Sequence, residues 1–494
     1  MRNGKPRVAV IALARSTFDI GLARETLDRA LALVSRVAEP IGSPELLLDG
    51  DTLSRALGEL SALEKDATEE DAIDLVLVLQ ITFTDAEGIV RVSERFGDKP
   101  LAVWAFPEPR TGGRLRLNSF CGLNLAAHAL GRIDRQAGML YAAPTSDALE
   151  AVKELLDGNR VPVPPSFGPA EVDAVSSPAA ARAIGRLQGA RIARLGEHPP
   201  GFDTCDYDER RLDALAGVRV DPIELDDVFA TARKSSDGAL ERARAVASRD
   251  CGNLSSVDAN ELDNSLRLEC ALNDIREAGR YDAFAVRCWP ECFTEYGGAM
   301  CAPVAMMGER HVPCACEADV YGALSSLMLQ SVAEAPVFMV DLVDLDPSDE
   351  TGVVWHCGQA PVSMSAGRAK AAQGGTGEGM REVDSEPPSR ATVHTNRRMA
   401  LLYEFSLKPG RVTLARLSQA RGQHSLVLIG ADAIERPAPF TGTCGTLRFD
   451  RSIAELSNAI LGAGLEHHTS LVYGDYRQDL RQVAAELGLP VLSL

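Results

Sequence analysis

The chain has 494 residues, of which 45% are hydrophobic and 24% charged, and its formal net charge is −19. That length calls for roughly two to four domains, and the composition is that of a globular protein. No apolar run approaches the roughly 20 residues of a membrane span, and no block of Lys and Arg supplies the charge that nucleic acid binding needs.

The N-terminal apolar stretch is short and lacks a small-residue cleavage site, so it reads as a first strand and the expectation is a cytoplasmic protein. Strands are predicted at 7–14, 74–80, 101–106 and 137–143, as near-continuous apolar runs of the kind buried on both faces of a parallel sheet. Helices are predicted between them at 20–37, 84–96, 123–132 and 146–156. This β-α-β rhythm predicts a doubly wound α/β domain, Rossmann- or flavodoxin-like, over residues 1–165. The proline-rich stretch 161–169 marks its end.

A second doubly wound α/β domain is predicted over 166–350. Its strands are at 190–195, 281–287 and 336–342, and its helices at 239–247, 260–278 and 318–334. From 351 to 494 the pattern becomes a β-rich domain. Strands are predicted at 353–357, 391–396, 399–406, 411–418, 425–431 and 469–473, with helices at 453–461 and 476–487 and a last short strand. Lys408-Pro409-Gly410 reads as a hairpin turn, and 366–379, rich in Gly, Ala and Lys, as a mobile loop. The sequence has no G-x-G-x-x-G after a strand and no G-x-x-x-x-G-K-[ST], which removes support for a nucleotide cofactor. Nor does it contain a G-x-S-x-G elbow or an H-E-x-x-H helix.

Eleven cysteines without a secretory signal predict reduced thiols. Cys288, Cys292, Cys301, Cys314 and Cys316 crowd one window, but their C-x₃-C and C-x-C spacings fit zinc poorly. Buried small hydrophobes are the better reading.

Three features carry chemistry. In Cys316-Glu317-Ala318-Asp319-Val320-Tyr321-Gly322 two carboxylates stand where a helix begins, either as caps or as ligands. Asp341 closes the apolar run Pro336–Val340 and is expected at the carboxyl end of a strand in an open sheet, where ligands bind. Asp344 and Asp346 are alternatives to it. His467 and His468 precede a strand pattern; alternation of side chains predicts that at most one of them serves a site. Two carboxylates and an imidazole suit a six-coordinate ion such as Mn²⁺, and a cation is what allows carboxylates to gather.

With these residues in view, the chain resembles the L-fucose/L-arabinose isomerases over most of its length. The resemblance rests on Cys288-Trp289-Pro290-Glu291, on Ala315 through Leu324, on Val337 through Asp341, on Trp355-His356-Cys357-Gly358, and on His468 before Tyr473-Gly474. It implies that Glu317, Asp341 and His468 hold a divalent metal, most often Mn²⁺, and that Glu317 and Asp341 divide metal binding and acid/base catalysis. It further implies that Arg15, Trp289, Glu291, His356 and His467 contact a monosaccharide. Arg15-Ser-Thr-Phe-Asp19 resembles the family's first loop, whose arginine reaches a neighbouring subunit's substrate, so a homo-oligomer (trimer or hexamer) is implied. Arg110–Asn118 is either a surface loop or an edge offered to another subunit. His467 stands where fucose isomerases carry an asparagine, which leaves the sugar open.

The implied activity is aldose–ketose isomerisation through an enediolate, in which the ion polarises the carbonyl and a carboxylate moves the proton between C2 and C1. Two alternatives remain at this stage. One is a sugar-binding or regulatory protein of the same fold without turnover; the other is a metal-dependent aldolase or epimerase acting on a related sugar. The second usually needs a phosphate-gripping loop, and the sequence offers none.

Overall fold

The computed structural model describes residues 5–42, 44–65, 67–68, 71–172, 177–367, 370–374 and 400–494. The strand predicted at 391–396 lies outside them. Three sheets organise the described residues.

The first sheet contains β1 (Arg7–Leu13), β2 (Glu39–Ile41), β3 (Leu46–Leu47), β4 (Leu75–Gln80), β5 (Leu101–Ala105) and β6 (Gly138–Tyr141), in the order β2-β1-β4-β5-β6 with β3 also on β1. Every pairing is parallel. All residues of β4 and β5 are buried, as the unbroken apolar runs require of strands covered by helices on both faces. The second sheet contains β7 (Arg191–Leu195), β8 (Arg219–Ile223), β9 (Ala283–Val286) and β10 (Cys314–Cys316), ordered β10-β9-β7-β8 and again parallel throughout. Both sheets have the doubly wound form expected from the sequence.

The third sheet comprises β11 (Phe338–Asp346), β12 (Thr351–His356), β13 (Lys370–Gly374), β14 (Ala400–Ser406), β15 (Gly410–Ser418), β16 (Ser425–Ile434), β17 (Thr443–Phe449), β18 (His468–Tyr473) and β19 (Val491–Ser493). Six of these strands pair in a ring, β11-β12-β17-β16-β15-β18 and back to β11, each contact antiparallel. The β-rich region is therefore a closed barrel, which leaves no free edge among those six strands.

Four expectations change here. The strand containing Asp341 belongs to the barrel, not to a parallel sheet, and Asp341 lies within β11 rather than at its exit. Lys408-Pro409-Gly410 is no hairpin: it leads from β14 into β15, which pairs instead with β16 and β18. Part of the predicted loop 366–379 is the strand β13, paired with β14. Cys288 and Cys316 form a disulfide pair, Cα to Cα 6.0 Å. The ends of the neighbouring strands β9 and β10 bring these two residues side by side, a contact that spacing in sequence does not reveal. The nine other cysteines are free and buried, as the hydrophobe reading has it.

The first sheet is clamped to the barrel by one polar cluster. Asp344 of β11, buried, accepts hydrogen bonds from Arg110 Nε, Tyr141 Oη and the Glu108 backbone N–H. Arg110 also donates to Thr351 Oγ1 at 2.7 Å. The segment 110–118, one reading of which was an edge for another subunit, is thus tied to its own chain's barrel. No helix among the described residues is long and apolar enough to cross a membrane.

Candidate metal and substrate site

The three sheets meet around Glu317, Asp341 and His468. β10 ends at Cys316, and Glu317 and Ala318 then take left-handed backbone angles, φ +57° and +54°. That conformation is unfavourable for residues other than Gly; it places Glu317 beyond the carboxyl end of the second sheet, where open α/β sheets bind ligands. Asp319 caps the helix Val320–Ala333 by accepting the Gly322 N–H at 2.8 Å. Of the two carboxylates at this helix start, Asp319 is therefore the cap, which leaves Glu317 free for another task.

Register does the rest. Antiparallel pairing of β11 with β18 sets Asp341 directly opposite His468, a spacing of about 5 Å between Cβ atoms. His468 Nε2 stands 3.5 Å from Glu317 Oε2 and 3.5 Å from Asp341 Oδ1. Trp289 Nε1–H donates to Glu317 Oε1 at 3.3 Å, and His467 Nε2–H donates to Glu317 Oε2 at 3.1 Å. Thr204 Oγ1 lies 2.9 Å from His467 Nδ1.

Both histidines therefore reach the site, against the expectation of one. β18 begins at His468. His467 precedes it on a bend, so the alternation of a strand does not govern that pair; their ring centroids are 3.9 Å apart. His356, the last residue of β12, stacks 5.9 Å from His468. Its Nδ1 accepts the Cys357 N–H at 3.0 Å.

Arg15 lies over the Trp289 ring of its own chain, 5.4 Å from its centroid. Its carboxylate neighbour is Asp85, at 3.7 Å. Phe202 packs between Trp289 and His467, at 5.7 and 6.2 Å. Glu291 is held bidentately by Arg287, one turn away. Of the alternative carboxylates, Asp344 is consumed by the clamp and Asp346 by Ser348.

Burial pushes the Glu317 carboxyl up, but the hydrogen bond from His467 and the charges of the histidines outweigh it and bring it down to about 2. Asp341 moves the other way. Burial raises it, the two histidines pull against that, and the Glu317 charge adds to the rise. His467 would be lowered by burial but is raised by Glu317, whereas His468 is lowered, first by burial and then by the His467 charge.

The donor set fits a hard or borderline divalent cation. Asp341 Oδ1, His468 Nε2 and His356 Nε2 are buried and have no hydrogen-bond partner. Buried polar atoms are nearly always satisfied, and each one left alone costs about 1–3 kcal/mol. Ligand atoms of Glu317, His467 and His468 lie within 4.8 Å of one another, as do those of Asp341, His356 and His468. Carboxylate oxygens mixed with imidazole nitrogens suit Mn²⁺ or a similar ion better than a closed thiolate zinc centre.

Sequence reasoning missed Thr204, Phe202 and Arg416. Thr204 and Phe202 sit in the loop after β7, and their signal was position, just beyond the carboxyl end of a buried parallel strand. Arg416 is a single cation in an otherwise apolar run, Leu414-Ala-Arg-Leu417. Its burial was the clue.

A family model described as the N-terminal domain of fucose/sulfoquinovose isomerases matches residues 9–161. The sulfoquinovose isomerase of Alkalicoccus urumqiensis is 28% identical over 489 residues, 99% of each chain. That of Priestia aryabhattai is 27% identical over 492 residues, 98% of each chain, and that of Clostridium sp. (strain MSTE9) is 26% identical over 490 residues, 98% of each. Matched from end to end by these relatives and over its first third by the family model, the chain is similar to the fucose/sulfoquinovose isomerases.

Proposed function

We propose that the protein is a metal-dependent aldose–ketose isomerase whose substrate is a sulfonated aldose of the sulfoquinovose type. The observation that carries this reading is the convergence of Glu317, Asp341 and His468, with Asp341 Oδ1 and His468 Nε2 buried and unpartnered. The names of the full-length relatives support the sugar. Glu317, Asp341 and His468 would hold a divalent ion, Mn²⁺ by donor type, and the ion when bound would withdraw charge from the sugar carbonyl.

The chain's own residues supply the rest. Glu317 and Asp341 share ion holding and the transfer of a proton between C2 and C1 of the open-chain sugar. His467 and Trp289 fix the Glu317 carboxylate, one on each oxygen. Phe202 and Trp289 form an apolar wall, and Arg15 above Trp289 is the cation we assign to the sulfonate. His356 presents Nε2 to the same space and is assigned to a substrate hydroxyl. We place the enzyme in the cytoplasm, as a homo-oligomer, trimer or hexamer; resemblance to the family supports both.

The test is incubation of metal-loaded protein in D₂O with sulfonated hexoses, 6-deoxyhexoses and pentoses. Ketose product carrying deuterium, fastest on the sulfonated sugar, is the expected result. Cleavage products would favour an aldolase, and binding without exchange a sensor.

A further inference from the structure

Arg416 and Asp319 form an ion pair in which both side chains are about 1% exposed, behind the His468 ring. Arg416 comes from β15 and Asp319 from the cap of the helix Val320–Ala333. Asp319 Oδ1 accepts from the Gly322 N–H at 2.8 Å and Arg416 Nη2 at 3.1 Å. Oδ2 accepts from Arg416 Nη1 and from His468 Nδ1–H, the latter at 3.0 Å. Four donors thus surround one carboxylate, and both of its oxygens already accept from N–H groups that can only donate, those of Gly322 and the Arg416 guanidinium. Such a carboxylate only accepts. The proton on its imidazole neighbour must therefore sit on Nδ1, and the Nε2 lone pair must point away from Asp319, toward Glu317 and Asp341. Arg416 Nη2 also reaches the Thr204 carbonyl at 3.4 Å, and Thr204 Oγ1 contacts His467, so one cation stands behind both imidazoles.

Stability alone is a poor reason for this arrangement. A buried ion pair is matched or bettered by apolar residues of like volume, and its geometry here is spent on one ring nitrogen. We infer that Asp319 and Arg416 are positioning residues, which lock His468 in the Nδ1–H tautomer and so present Nε2 as a ligand. The inference rests on the metal reading above for its purpose, but the tautomer can be read without any metal.

Two measurements test it. In metal-free protein labelled with ¹⁵N-histidine, with His468 assigned by loss of its signals in His468→Gln, long-range ¹H–¹⁵N correlations are expected to show the Nδ1–H tautomer. An Nε2–H ring in the wild type overturns the inference, whatever any variant does. In Asp319→Asn, the amide can donate to Nδ1 and turn the tautomer over, so Mn²⁺ affinity measured by titration calorimetry is expected to fall roughly 10- to 100-fold. A folded Asp319→Asn that binds Mn²⁺ within twofold of wild type overturns it. Wild-type protein that binds no divalent ion would instead sink the metal reading, while the tautomer experiment still decides the role of Asp319.

Discussion

Asp341 carries an unpartnered buried oxygen in a place where a carboxylate is repelled by Glu317. Such a group has no structural bond to lose, so replacement by its neutral isostere separates function from folding. Asp341→Asn is expected to lower turnover by roughly a thousandfold, while the unfolding temperature of the metal-free protein does not fall. Near-full activity in that variant, by the ketose-forming assay, would contradict the assignment. Residue identity drew attention to the acids near 317 and 341 and to the histidine pair, because acids and imidazoles in an apolar setting are conspicuous, but the choice of Glu317, Asp341 and His468 among them came from the family resemblance. It was not enough for His467, whose orientation depends on where β18 begins, nor for Arg416, whose partner is 97 positions away in the chain.

Elements set the loops around those residues. The segment following β5 is pinned by Glu108, whose buried carboxylate accepts the N–H groups of Arg116, Leu117 and Asn118 at 2.6, 2.7 and 2.8 Å. Burial pushes Glu108 up from the ordinary 4.5 to about 7, against those three donors and helped by the charge of Asp344. A carboxyl whose folded value is raised holds its proton more tightly when folded. Its stabilising contribution is therefore complete below about pH 4.5 and is lost as pH rises through about 7. Wild type should lose roughly 3 kcal/mol on this account across that window, and Glu108→Gln should not. Parallel urea midpoints for the two proteins between pH 5 and pH 8 would contradict this. The elements legible in the sequence were those with a strong period or an unbroken apolar run, such as β4, β5 and the helix Ile20–Val37. The three-residue β10 was too short to read, and the helix Cys301–Glu309, buried along nearly its whole length, has no polar face to give it a period.

At the scale of the whole molecule, two parallel sheets and a barrel converge on one point, and the clamp at Asp344 keeps the first sheet against the barrel. Arg110→Met would leave Asp344 buried without its cation and should cost about 3 kcal/mol in chemical denaturation; an unchanged midpoint would show that the clamp does not bear on stability. Doubly wound order for the first two sheets was legible because crossovers between parallel strands leave a regular trace in sequence. Closure of the barrel was not, since it depends on the contact of β16 with β17 and on register that no local pattern encodes. That same register is what sets Asp341 against His468. The most direct test of the account is anomalous scattering from a crystal of the protein soaked in Mn²⁺. One strong peak within bonding distance of Glu317, Asp341 and His468 is the predicted result. A peak elsewhere, with those three side chains unengaged, would contradict it.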